Sequence, residues 1–84
     1  MTATGSLDIR IPGQETRVEW NGNPVDREHA RRTLEQLIGS GSVLATVVDS
    51  PGRLRQVGSF TEVEEIERER GTVEVTVRQA LVGG

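Results

Sequence analysis

Leu7, Ile9 and Ile11 alternate with Asp8 and Arg10, the two-residue period of a strand with one buried face. The pattern predicts a first strand over 7–11. Pro12-Gly13 places a residue of fixed φ before one that tolerates positive φ, as a type II turn requires. Alternation resumes over 16–20 with Val18 and Trp20 inward, so the chain opens with a hairpin. Asn21-Gly22-Asn23-Pro24 ends that strand, because Gly weakens a ladder and Pro removes one of its donors.

The period then changes. Asp26 is a suitable N-cap, and Ala30, Leu34, Leu37 and Ile38 recur at i, i+4, i+7 and i+8, predicting an amphipathic helix of about three turns. Its outer face pairs Glu28 with Arg32 and Arg31 with Glu35 at i,i+4, and Gly39 is the expected left-handed stop. Gly39-Ser40-Gly41-Ser42 lacks the Lys and the spacing of a phosphate loop and reads as a connector.

A β-branched run over 43–48, a Ser50-Pro51-Gly52 turn and a shorter strand over 54–57 predict a second hairpin. Its first strand presents either Leu44, Thr46 and Val48 or Val43, Ala45 and Val47 to the outer sheet face. Thr61 and Glu64 have capping-box spacing, Val63 and Ile66 are three apart, and Gly71 follows, so a short second helix is expected. The glutamates at 62, 64, 65, 67 and 69 lack the spaced Asp, Asn and Gly of a calcium loop and read as a solvated helix face. Val73, Val75 and Val77 alternate with Glu74, Thr76 and Arg78 in a last strand. The expectation is an α+β domain over 7–78, with a flexible arm over 1–6, a tail over 79–84 and one main helix covering a sheet face.

Composition narrows the chemistry. With 84 residues and a third of them apolar, the chain supports one core. It has no cysteine and a single histidine, which excludes disulfides, thiolate sites and cysteine nucleophiles and leaves no ligand set for a zinc cage. A net charge of -3 argues against a phosphate-backbone partner. No apolar run approaches the roughly 20 residues of a membrane span, residues 1–5 lack the features of a signal peptide, and a cytoplasmic location is expected. All ten basic residues are arginines, so the chain has no lysine to be acylated. His29, placed in the first turn of the long helix, has no Ser or Cys partner in a recognisable arrangement and is assigned no role. Trp20 is expected in the core.

The element order resembles that of the β-grasp family of ubiquitin and of the small sulfur carriers. The likeness rests on the helical turn after Phe60 leading into Thr72-Val73-Glu74-Val75-Thr76-Val77-Arg78, on the terminal Gly83-Gly84, and on Val18-Glu19-Trp20-Asn21-Gly22-Asn23-Pro24 before the main helix. The resemblance implies a mixed sheet of about five strands wrapped on one main helix. It implies no catalysis by the chain and no bound cofactor. A partner activating enzyme would use ATP to convert the Gly84 carboxylate to an acyl-adenylate. A narrow enzyme channel would suit Gly83 and Gly84, which have no Cβ, with Leu81 and Val82 as apolar anchors and Arg78 pairing with partner carboxylates.

Two fates share that activated terminus. Conversion to a thiocarboxylate serves sulfur transfer, whereas transfer to a target through a conjugating enzyme, reversed by a deconjugating protease, serves protein modification. The absence of lysine leans toward a modifier that does not build chains on itself. The alternative is a non-conjugated β-grasp binding module, a component of a phage or secretion assembly, that acts through its sheet face.

Overall fold

Residues 4–41 and 43–80 are described in a computed structural model. β1 (Thr4–Arg10), β2 (Thr16–Asn21), β3 (Val43–Ser50), β4 (Arg53–Val57) and β5 (Thr72–Gln79) form one sheet. Helix α1 (Pro24–Gly39) joins β2 to β3, and α2 (Phe60–Arg70) joins β4 to β5. The sheet order is β2-β1-β5-β3-β4. β1 is antiparallel to β2 and parallel to β5, while β3 is antiparallel to both β5 and β4. These pairings make β2 run parallel to β3 and β4 parallel to β5. Parallel strands cannot be joined by a tight turn, which is why a helix lies in each of those two connections. The architecture is a small α+β domain with a mixed five-stranded sheet and two helices.

One core joins both helices to a single sheet face. Leu7, Ile9, Trp20, Ala45, Val47, Val57, Val73, Val75 and Val77 come from the strands; Ala30, Leu34, Phe60, Val63 and Ile66 come from the helices. Trp20 packs on Phe60 with ring centroids 5.4 Å apart. The alternation in β3 resolves with Ala45 and Val47 inward and Leu44, Thr46 and Val48 outward.

Both predicted hairpins form. At the first, the Gln14 N–H donates to the Ile11 carbonyl at 2.8 Å and Gly13 has φ 83, so Ile11 belongs to the turn instead of the strand. β1 begins at Thr4, three residues earlier than its apolar alternation indicates, because it is paired on both sides: Thr4 faces Asn21 in β2 and Thr72 in β5. Residues 4–6 therefore belong to the sheet and not to an arm, and at the other end β5 takes in Gln79.

Helix α1 is longer at its start than expected. Asn23 and not Asp26 is the N-cap, its side chain accepting from the Val25 N–H at 2.9 Å, and Pro24 stands where its missing N–H costs nothing. At the other end Gly39 remains helical, Ser40 is the C-cap in the right-handed region, and the positive φ falls on Gly41 at 74°. Helix α2 runs from an N-cap at Ser59 to Gly71, whose φ of 78° and N–H bond to the Glu67 carbonyl close it as predicted. Its start differs: the Thr61–Glu64 capping box is not used, and Glu62 reaches back to the Gly58 N–H at 3.3 Å.

Candidate functional site

Arg78 lies near the end of β5, exposed on the face away from the helices. Its register partners are Arg10 on β1 and Leu44 on β3. Arg10 is tied to Asp8 at 2.9 Å, whereas Arg78 makes no ion pair with any described residue. The chain thus leaves the sheet beside two guanidinium groups and an exposed leucine, a surface suited to a carboxylate-bearing apolar partner. Sequence reasoning assigned Arg78 but not Arg10, whose place beside it depends on strand register. The other expected site residues, Leu81, Val82, Gly83 and Gly84, lie outside the described residues.

A second cluster is internal, at the junction of β2, α1 and α2. Glu67, expected on a solvated face, is only 3% exposed. Its carboxylate accepts from Trp20 Nε1 at 2.7 Å through one oxygen and from Arg27 at 2.6 Å through the other. Arg27 also approaches Glu64 at 3.4 Å. Both oxygens of Glu67 are satisfied, which is the condition for burying a charge. The signal was present: Glu67 stands four residues after Val63 and seven after Phe60, in the apolar stripe of α2. Gly5 completes the junction, since a Cβ there would stand 2.1 Å from Trp20 Cζ2.

The exposed face of α1 carries the predicted ion pairs and one more. Arg31 binds Glu28 and Glu35, and Arg32 binds Glu28 at 3.0 Å. The hydrogen bond from Arg31, with that from Arg32, lowers the Glu28 pKa from 4.5 to about 2. Hydrogen bonding to Glu28 raises that of Arg31 above its ordinary value. His29 is exposed on this helix, and its carbonyl accepts from the Thr33 hydroxyl.

An open groove of about 420 Å³ runs between the first hairpin and the second half of α1, lined by Ile9, Gln14, Glu15, Thr16, Thr33, Gln36 and Leu37. Glu15 is its one titratable group among the described residues, which place no acid–base pair there. Among the described residues no group of three His, Asp or Glu side chains is placed to hold a metal, and no helix is long and apolar enough to cross a membrane. No protein-family model, curated protein or solved structure matches this chain.

Proposed function

We propose that this chain is a β-grasp carrier of the ubiquitin and sulfur-carrier kind, acting in the cytoplasm through the carboxylate of Gly84. The observation that carries the reading is the sheet order β2-β1-β5-β3-β4, with β1 and β5 parallel at its centre and α1 against one face. In that arrangement the last strand is central, and the chain leaves it beside Arg78, Arg10 and Leu44. Those three supply charge and apolar contact to an activating enzyme, while residues 81–84 extend into its channel. In the activating step the Gly84 carboxylate attacks the α-phosphorus of ATP and expels pyrophosphate. A sulfur nucleophile then attacks the resulting acyl carbon and expels AMP.

Mass spectrometry of an N-terminally tagged protein recovered from its own host tests this reading. Replacement of oxygen by sulfur on Gly84 identifies a sulfur carrier. A tryptic remnant of residues 79–84 on other proteins, left by cleavage after Arg78, identifies a modifier. A Gly84 that is extended by further residues, or whose carboxylate stays free with the activating enzyme and ATP supplied, overturns both.

The exposed apolar positions on the outer sheet face, Leu44, Val48 and Leu54, favour a second reading, a binding module that works through that face. Deletion of Gly83 and Gly84 separates the two. It abolishes function in a carrier and leaves a binding module active.

A further inference from the structure

Among the described residues strand β4 is an edge of the sheet and pairs only with β3. Arg53, Leu54, Arg55 and Gln56 are all exposed, and Val57 alone is buried. Leu54, 65% exposed, stands across from Val48, 57% exposed, on the face away from the helices. Arg53 and Arg55 project to the opposite side by strand alternation. Neither forms an ion pair with a described residue, although Arg10, Arg17, Arg27, Arg31 and Arg32 all do. The other edge, β2, is different: its Arg17 is neutralised by Glu19 at 2.9 Å. Among the described residues the β4 edge therefore combines an unpaired backbone ladder, an exposed apolar pair and two arginines without an ion-pair partner.

Charge decides what can occupy it. A second copy pairing antiparallel through β4 about its centre would set Arg55 against Arg55, and a register two residues away would set Arg53 against Arg55. Like charges directly opposite destabilise a strand pair. A strand with acidic residues at alternate positions meets Arg53 and Arg55 with opposite charge, and an apolar residue between them lies beside Leu54. We propose that the β4 edge binds an extended segment of a partner protein in which acidic and apolar residues alternate, added to the sheet as a sixth strand. The carboxylates pair with Arg53 and Arg55, and the intervening apolar side chain covers Leu54 and extends the strip begun by Val48. This site is independent of how the chain terminates.

The probe is an end-capped fluorescent heptapeptide alternating glutamate and valine, titrated with the intact chain by anisotropy, beside an otherwise identical peptide with lysine for glutamate. The glutamate peptide is expected to bind saturably, at least about tenfold tighter than the lysine peptide, and to weaken as salt rises. The double variant Arg53→Glu/Arg55→Glu is expected to invert that preference, a gain that an unfolded variant would not show. N-methylation of one alternate set of peptide amides should abolish binding while the other set is tolerated, and the β4 amides should become protected from hydrogen exchange. Equal binding of the two peptides, binding of neither, indifference to N-methylation or failure of the charge swap overturns the proposal. So does dimerisation of the chain through β4 that the glutamate peptide does not disturb.

Discussion

Gly5 and Trp20 are paired in the register of β1 and β2, and the indole lies over the glycine where any side chain would stand. Gly5→Ala forces the ring out of its place against Phe60, and overpacking of this kind costs about 3 kcal/mol. Urea unfolding followed by the emission of Trp20, the chain's one tryptophan, measures the loss. Glu67 is the polar counterpart of that packing. Glu67→Ala leaves the indole N–H without an acceptor and Arg27 without its closest carboxylate. Because Arg27 is partly solvated, the expected destabilisation is about 2 kcal/mol. Glu67→Gln keeps an acceptor for Trp20 but turns an NH2 donor toward Arg27, so it loses the ion pair and spares only the indole bond, and should cost about half as much. If the two variants prove equally stable, the indole bond contributes nothing.

At the level of elements, both helices start and stop through local chemistry. Asn23→Ala removes the side-chain acceptor for the Val25 N–H and should cost about 1 kcal/mol in the same unfolding experiment. The Glu28 cluster on α1 has a pH signature. Its pKa is lowered in the folded chain, so its favourable interaction is complete above pH 4.5 and is lost as pH falls toward 2. Titration of the Glu28 carboxyl by NMR should give a midpoint near 2, moving back toward the ordinary carboxylate value in Arg31→Gln and in high salt. Because these groups are exposed and screened, the cluster is expected to shift the titration more than the stability.

In the whole molecule, the central strands carry the stability. β1, β5 and β3 are paired on both sides, while among the described residues β2 and β4 each lack a neighbour on one side. Native-state hydrogen exchange should therefore find the slowest amides in β1 and β5 and faster exchange in β4, whose surface is almost entirely exposed. Protection of β4 equal to that of β5 in the isolated chain would mean that its edge is already covered. The same topology gives each edge its own chemistry. Arg17 and Glu19 neutralise each other on β2, whereas Arg53 and Arg55 on β4 form no ion pair with a described residue.

Much of this was legible in the residues. The two hairpins, the turn at Ile11–Gln14, the apolar face of α1 and the Gly71 stop follow from periods of two and 3.6 residues and from local backbone limits, which need no distant partner. Arg78 was likewise legible as outward-facing, by its place in the valine alternation. Its neighbours Arg10 and Leu44 were not, because register across three strands joins residues far apart in sequence. The start of β1 at Thr4 and the outward face of β3 also required the pairing of strands. Glu67 misled for the same reason: a carboxylate is read as solvated until Trp20 and Arg27, from a strand and the other helix, are seen to satisfy it. Local periodicity set the elements, and long-range pairing set their order, the buried carboxylate and the strand left at the edge.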